Sequence, residues 1–339
     1  MSPQGKQGPG GPVDRVMAPE LSGGEFKRQN SYFREWIGID PSTGQRGSLP
    51  VVAGRYHLYV ALACPWSHRA AIVRELAGLG EALPISYLAP FRDERGWAFT
   101  GKTFKEGPGG RYIDPLYGWK FLSEAYLLSD PGYTARVTVP VLWDAKNKRI
   151  VNNESADIIR MLAGGSSLGG LPLKGTGGKG AKLDLYPEKL RGEIDDVNMR
   201  VYNTINNGVY NAGFARRQDS YERAFRLLFE SLAWLEELLG KQRYLLGERI
   251  CEADWRLFPT LVRFDEVYHL HFRCNYRRIV EYPNLWAYAR ELYQWPGVAK
   301  TVAMTQIKRH YYTTHDELNP KHIIPVGPAP DWDEPHGRG

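Results

Sequence analysis

The junction at Cys64 and Pro65 is the feature that most constrains the fold. Residues 55–62 are rich in aromatic and β-branched side chains and have the length of a strand. Over residues 70–79 the apolar residues recur at helical spacing. Pro65 lies where this helix would begin, a position that proline favours. The sequence therefore predicts a strand that leads directly into a helix, with Cys64 at the junction.

The remainder of the first half predicts a small sheet with helices. A second strand is expected at 83–88, a third at 136–143 that Pro140 interrupts, a fourth at 149–152, and a helix at 153–162. Residues 91–133, rich in Gly, Pro and aromatic residues, are longer than an ordinary connection and predict a functional or ordered insertion. The order is strand, helix, strand, insertion, hairpin, helix.

The second half predicts helices only. Residues 164–180 are rich in Gly, Ser and Lys, which is typical of a flexible linker. Beyond them, residues 221–239 predict a buried bundle helix, and 253–270 and 285–293 resemble it. The expected buried face of the helix at 221–239 comprises Ala224, Leu227, Leu228, Ser231, Leu232, Leu235, Leu238 and Leu239.

Charge and cysteine usage exclude several classes of protein. The net charge is +6 over 339 residues, and the basic residues are dispersed, whereas nucleic acid usually demands a dense stripe. No run of about eighteen apolar residues predicts a membrane span. The three cysteines, Cys64, Cys251 and Cys274, form no C-x-x-C pair, so neither a disulfide scaffold nor a zinc ribbon is expected. A reducing compartment, the cytoplasm, fits best.

Cys64 is the strongest candidate for chemistry. A thiol at a helix start meets free backbone N–H groups and the positive end of the helix dipole, which favour the reactive thiolate. The alternative is a buried structural cysteine. Ser67 stands where a dithiol enzyme would have its second cysteine, so an external thiol must complete any catalytic cycle.

Two further features accompany it. Val139-Pro140 places proline within a predicted strand, which is either an ordinary edge-strand proline or the cis-proline that thioredoxin-like folds hold beside the nucleophile. Ser155 at a helix start can bind a carboxylate and Glu154 an ammonium group, although both residues are also ordinary helix caps.

Together these blocks resemble the glutathionyl-hydroquinone reductases, the Xi class of glutathione transferases. The matching blocks are residues 64–69, 96–99, 130–133, 138–144 and 151–155 in the first half, and 206–215, 261–265 and 333–337 in the second. The resemblance runs from about residue 25 to the C-terminus. It departs at Cys251, where Ser or Thr is usual in the helix-capping motif, so we expect a weaker cap.

The resemblance implies an α/β domain followed by an all-α domain. The expected boundaries are a disordered leader at 1–24, a thioredoxin-like glutathione-binding domain at 25–163 with the insertion 91–133, a linker at 164–184, a helical glutathione-transferase domain at 185–318, and an extended tail at 319–339. It also implies a homodimer, with glutathione as co-substrate and no metal.

The resemblance further implies the site. Cys64 would attack the sulfur of a glutathionyl-hydroquinone, release the hydroquinone and hold glutathione as a mixed disulfide, which a second glutathione resolves. The matching glutathione-site residues are Trp97, Arg136, Val139, Glu154 and Ser155, with Pro140 as the structural cis-proline; the matching aromatic-site residues are Tyr210, Tyr268 and Tyr311. We expect Cys251 and Cys274 to be buried and inert.

Two other functions stay open at this level. One is a general cysteine-type glutathione transferase that acts on mixed disulfides or dehydroascorbate. The other is a non-catalytic binding protein with the same fold, against which the combination of Cys64 with Glu154 and Ser155 argues.

Overall fold

A computed structural model describes residues 21–22, 25–26, 28–163 and 183–339. Of the predicted leader, only residues 21 and 22 belong to this set, and they form a strand. Of the predicted linker 164–184, only residues 183 and 184 do. The rest of both segments lies outside the described residues.

The elements of the described chain are as follows. The strands are β1 (Leu21–Ser22), β2 (Glu25–Phe26), β3 (Tyr56–Val60), β4 (Ile85–Tyr87), β5 (Arg92–Asp93), β6 (Gly96–Trp97), β7 (Thr103–Phe104), β8 (Gly110–Arg111), β9 (Val141–Asp144) and β10 (Arg149–Asn152). The α-helices are α1 (Pro65–Leu76), α2 (Ser123–Ser129), α3 (Ser155–Ala163), α4 (Arg191–Val201), α5 (Gly208–Gly213), α6 (Gln218–Leu239), α7 (Glu252–Arg263), α8 (His269–His271), α9 (Pro283–Gln294) and α10 (Met304–Thr314).

A four-stranded sheet in the order β10-β9-β3-β4 forms the centre of the first half. Strand β3 is parallel to β4 and antiparallel to β9, so the crossover from β3 to β4 carries α1. Alternate residues of a strand face opposite sides of the sheet. Leu58 and Val60 pack in the core that contains α1 and α3, whereas Tyr59 packs in a second core on the other side.

The predicted third strand begins too early. Residues 136–140 are not part of a strand, and β9 starts at Val141, directly after Pro140. Proline has no N–H to donate to a strand ladder, so the pairing with β3 begins only beyond it.

The insertion at 91–133 is ordered. It contains the hairpins β5–β6 and β7–β8 and the helix α2. Its Glu106 carboxylate accepts hydrogen bonds from the backbone N–H groups of Thr305 at 2.7 Å and Gln306 at 3.2 Å. A carboxylate at this position satisfies free N–H groups of a helix start. The insertion therefore anchors the N-terminus of α10, which belongs to the second half of the chain.

The second half is helical, with two differences from the sequence prediction. The helix expected over residues 253–270 ends at Arg263 and continues as a π-helical turn, Phe264–Tyr268. On α6 the expected buried face is confirmed at six positions, but Leu227 is 46% exposed and Leu238 is half-buried. Leu227 precedes the buried Leu228, and one residue of helix turns a side chain by about 100°, away from the core.

The C-terminal tail, residues 319–339, contains no helix or strand and packs on the helical half. The Trp332 ring centre lies 4.7 Å from that of Trp286. The Arg338 guanidinium donates to the Glu291 carboxylate at 2.7 Å. In the described part of the chain, no helix is long and apolar enough to cross a membrane.

A buried histidine on β3 predicts acid sensitivity. His57 is buried, its Nε2 lies 2.8 Å from Ser86 Oγ, and burial lowers its pKa to about 4, although the charge of Asp114 opposes the shift. The folded state accommodates His57 as the neutral imidazole. Its contribution to folding stability is therefore complete above the unfolded pKa of about 6.5 and is lost as the pH falls toward 4. We expect His57 to reduce the free energy of unfolding by roughly 2 kcal/mol between pH 7 and pH 5.

Urea denaturation of the wild-type protein and His57→Gln at both pH values measures this contribution. The variant should lose less stability between pH 7 and pH 5 than the wild type, because Gln does not titrate. An unchanged pH dependence in the variant would show that other groups dominate.

Candidate active site

Cys64 occupies the N-cap position of α1, makes no capping hydrogen bond with its side chain, and is half-buried. Its backbone is extended, Pro65 occupies the first turn, and the Cys64 carbonyl accepts the N–H of His68 at 3.0 Å. Ser67 points elsewhere, because its buried hydroxyl accepts the N–H of Ala61 at 3.3 Å. The site thus has one thiol and no competing hydroxyl at position 67.

The peptide bond between Val139 and Pro140 is cis, which is one of the two alternatives that the sequence left open. The Val139 carbonyl oxygen lies 3.8 Å from the Cys64 sulfur. The segment that precedes β9 is therefore directly beside the thiol, as the interpretation of Pro140 requires.

A cleft of about 680 Å³, partly open to solvent, adjoins this segment. Four of the predicted glutathione-site residues line it: Arg136, Val139, Glu154 and Ser155. The other lining residues are Arg28, Gln29, Asn30, Ser31, Trp66, Tyr133, Ala135, Thr138, Pro140, Asn153 and Tyr202. With a carboxylate, an arginine and a helix start among its lining residues, the cleft is suited to a zwitterionic peptide.

The start of α3 serves both as a cap and as a wall of the cleft. The Glu154 carboxylate accepts the N–H of Ala156 at 3.1 Å and the hydroxyl of Ser31 at 2.8 Å. The Ser155 hydroxyl lies 3.5 Å from a guanidinium nitrogen of the buried Arg69. Capping and ligand binding, which the sequence left as alternatives, are therefore compatible here.

A second cavity, of about 410 Å³ and also partly open to solvent, is lined by Cys64 itself and shares Arg28, Trp66 and Arg136 with the cleft. It is lined by Arg28, Cys64, Pro65, Trp66, Arg92, Trp97, Arg136, Tyr210, His310, Tyr311 and His315. Trp97, predicted for the glutathione site, lines this cavity and not the cleft, and its ring stacks on His310 with 5.1 Å between the ring centres.

The three predicted tyrosines meet at this second cavity. The Tyr311 hydroxyl lies 2.6 Å from that of Tyr210 and 2.9 Å from that of Tyr268. Tyr210 and Tyr311 line the cavity, whereas Tyr268 is fully buried behind them. Burial raises the pKa of all three phenols, so they keep their protons near neutral pH and can act as hydrogen-bond donors.

Two histidines beside the tyrosines were not predicted. His310 Nδ1 lies 2.7 Å from the Pro90 carbonyl oxygen, so this nitrogen carries the proton. Burial lowers the pKa of His310 to about 3, and the nearby Arg92 adds to the shift. His315 Nδ1 lies 3.0 Å from His271 Nε2. The feature of the sequence that could have indicated His310 and His315 is their closeness to Tyr311 along the chain.

The helical half also positions the thiol. Arg263, at the end of α7, is buried, and its guanidinium donates to the carbonyl oxygens of Leu62 at 2.8 Å and Ala63 at 3.2 Å. These are the two residues before Cys64. Within the sequence block 261–265, Arg263 thus makes hydrogen bonds across the two halves of the molecule.

The tyrosine cluster depends on close packing at Gly213. A Cβ at this position would lie 2.3 Å from Phe272 Cγ, and the Phe272 ring stacks on Tyr268 and contacts Tyr210. We expect Gly213→Ala to lower the free energy of unfolding by about 1–3 kcal/mol through overpacking and to lower activity through displaced tyrosines.

The matched control is Gly192→Ala in α4, where an added Cβ meets nothing within 4 Å. This change should stabilise the protein by up to about 1 kcal/mol, because alanine favours helix. Equal effects of both changes in urea denaturation would contradict the packing argument.

The comparisons with known proteins agree with this geometry. The model of the glutathione S-transferase N-terminal domain matches residues 63–164, and that of the C-terminal domain matches residues 218–291. The chain is 48% identical over 320 residues to glutathionyl-hydroquinone reductase YqjG of Escherichia coli. This alignment covers 94% of this chain and 93% of the relative. It is 47% identical over 310 residues to glutathionyl-hydroquinone reductase PcpF of Sphingobium chlorophenolicum, covering 91% of each.

The protein belongs to the Xi class of glutathione transferases. The solved Xi-class enzyme from Natrialba magadii superposes with a TM-score of 0.84 at 45% identity and covers 96% of each chain. The glutathione-bound structure of YqjG gives 0.82 at 47% identity, covering 91% of this chain and 96% of that one. Membership confirms the predicted fold class, a thioredoxin-like domain followed by a helical domain.

Proposed function

We propose that this Xi-class protein reduces glutathionyl-hydroquinones to hydroquinones with glutathione as the reductant. The observation that carries the proposal is the position of Cys64, whose sulfur lies 3.8 Å from the Val139 carbonyl and which lines the tyrosine cavity. A substrate with a peptide on one side of its sulfur and an aromatic ring on the other would place that sulfur at Cys64. The two curated relatives named above carry this activity in their names.

In the proposed complex the peptide part of the substrate lies in the cleft. Glu154 pairs with its ammonium group, Ser155 and the start of α3 bind a carboxylate, and Val139 pairs with the peptide backbone. Arg136 offsets the negative charge of the peptide, and Trp97 packs where the peptide meets the ring. The hydroquinone enters the second cavity, where the hydroxyl cluster of Tyr210 and Tyr311 offers a hydrogen bond to one of its oxygens and Tyr268 supports the cluster from behind.

The reaction exchanges a carbon–sulfur bond for a disulfide. An aryl carbanion is a poor leaving group, so the ring first tautomerises: the neighbouring hydroxyl gives up a proton and the sulfur-bearing carbon takes one. The Cys64 thiolate then attacks the substrate sulfur, the carbon–sulfur bond breaks, and its electron pair restores the aromatic ring with the charge on oxygen. A second glutathione attacks the Cys64–glutathione disulfide and leaves as glutathione disulfide.

Intact mass after incubation with a glutathionyl-hydroquinone alone tests this proposal. We expect one added glutathionyl group, mapped by proteolysis to Cys64, together with one equivalent of free hydroquinone. Cys251 and Cys274 serve as internal controls, because both are buried and burial raises the pKa of their thiols. Release of hydroquinone without a Cys64 adduct would rule out the mechanism.

The proposal has three further parts: a homodimer, which the resemblance implies, a cytoplasmic location, which the cysteine usage favours, and free glutathione as the second substrate, which the glutathione-bound relative supports. Turnover of dehydroascorbate or simple mixed disulfides at an efficiency above that for glutathionyl-hydroquinones would favour a general cysteine-type transferase instead.

A further inference from the structure

Arg28 lies where the cleft and the second cavity meet, and it lines both. Its guanidinium carbon is 4.7 Å from the centre of the Trp66 ring and 5.1 Å from the centres of the Tyr210 and Phe26 rings. Its Nε donates to the Asn207 side-chain oxygen at 3.0 Å. Aromatic faces hold a guanidinium without neutralising it. Among the described residues, no carboxylate forms an ion pair with Arg28.

The tyrosine cluster alone cannot balance the charge that the reaction creates. Three hydroxyl groups carry three protons, and two of these are used in the hydrogen bonds of Tyr311 with Tyr210 and with Tyr268. At most one proton remains for a ligand. Since the three phenols are neutral donors, they supply one hydrogen bond and no positive charge. A developing phenolate is stabilised more strongly by a positive charge than by one neutral donor.

We propose that Arg28 stabilises the negative charge that appears on the hydroquinone oxygen as the carbon–sulfur bond breaks. The inference rests on the proposed function and adds a catalytic residue to it. In this step the bond between the Cys64 sulfur and the substrate sulfur forms, and the electron pair of the broken bond ends on the ring oxygen. That oxygen accepts a hydrogen bond from the Arg28 guanidinium and then takes a proton from water.

The position of Arg28 relative to the ring distinguishes it from Arg136. Arg136 also lines both cavities, and we have placed it at the peptide. Arg28 lies against the face of Tyr210, whose hydroxyl is part of the cluster that would hold the ring oxygen. A cation at that place acts on the leaving group, whereas a cation at the peptide acts on substrate binding.

Single-turnover kinetics without free glutathione isolate this step. The full-length wild-type protein, Arg28→Met and Arg28→Lys react with a series of glutathionyl-hydroquinones whose ring substituents vary the acidity of the leaving hydroquinone. We expect Arg28→Met to slow hydroquinone release by about 10²–10³-fold, with the largest loss for the least acidic hydroquinone. Arg28→Lys should recover at least about tenfold, because the charge is retained.

Two controls separate this role from packing. Arg200→Met removes a guanidinium that lies 3.9 Å from the Trp234 ring but lines neither cavity, and it should leave the rate within about twofold. The second half-reaction, in which glutathione reduces the Cys64–glutathione disulfide, involves no ring and should change less than about threefold in Arg28→Met.

Several outcomes would overturn the role of Arg28. These are an unchanged dependence on leaving-group acidity in Arg28→Met, an equal slowing of both half-reactions, or a loss confined to the KM for glutathione. Failure of the proposed function gives a different result, because the wild-type protein would then release no hydroquinone from any member of the series.

Discussion

Cys64→Ala should lower kcat/KM for glutathionyl-hydroquinones by at least about 10³-fold, the scale on which removal of a covalent nucleophile acts. In the proposed reaction this sulfur forms the disulfide intermediate, and the other two cysteines, Cys251 and Cys274, are buried and line neither cavity. Ser67 cannot replace it, because its hydroxyl is buried and bonded to Ala61. Hydroquinone release measured by liquid chromatography at saturating glutathione gives the rates.

The matched control is Cys274→Ala, which removes one buried thiol and leaves the number of thiols equal to that in Cys64→Ala. Cys274 lines neither cavity, so we expect activity within about threefold of the wild type and a modest loss of stability from the lost packing. If Cys64→Ala retained a tenth of the activity, the disulfide mechanism would be wrong.

The sequence predicted the environment of Cys64 well because local rules determine it. A strand with aromatic and β-branched residues and a proline at the first helical position each have a short-range physical cause. The structure places Cys64 and Val139 side by side through the pairing of β3 with β9.

Boundaries were less accurate where tertiary contacts override local spacing. The helix expected over 253–270 changes to a π-helical turn after Arg263. The guanidinium of Arg263 bonds to Leu62 and Ala63 in the other half, and the Asp265 carboxylate accepts the N–H of Ile279 at 2.6 Å. Leu62, Ala63 and Ile279 all lie outside this helix, so its helical periodicity carries no information about these contacts.

In the second cavity, too, tertiary contacts place residues that the sequence alone does not identify. Arg28 is one of 44 basic residues, and no motif or spacing distinguishes it. It reaches the cavity only because Phe26 stacks against Tyr210 and Phe214 and brings the N-terminal segment over the cleft. The tyrosines were selected by resemblance, and resemblance did not predict that Trp97 would line their cavity.

Asp254→Ala should lower the free energy of unfolding by about 3–5 kcal/mol, because it removes a buried carboxylate that satisfies three donors. Its oxygens accept the N–H of Cys251 at 2.8 Å, the N–H of Leu245 at 3.0 Å and the hydroxyl of Tyr288 at 2.8 Å. The first bond caps α7 and the last ties α7 to α9. Burial raises the pKa of Asp254, and these hydrogen bonds oppose the shift.

Two comparisons in urea denaturation at pH 7 sharpen this test. Asp219→Ala also removes a carboxylate from the first turn of a helix, α6, but that carboxylate is exposed, so a loss below about 1 kcal/mol is expected. Cys251→Ser places a better acceptor at the cap of α7 and should change stability by less than about 1 kcal/mol. We therefore expect Asp254 to contribute more to this cap than Cys251. A gain in stability from Cys251→Ser that exceeds the loss from Asp254→Ala would contradict that expectation.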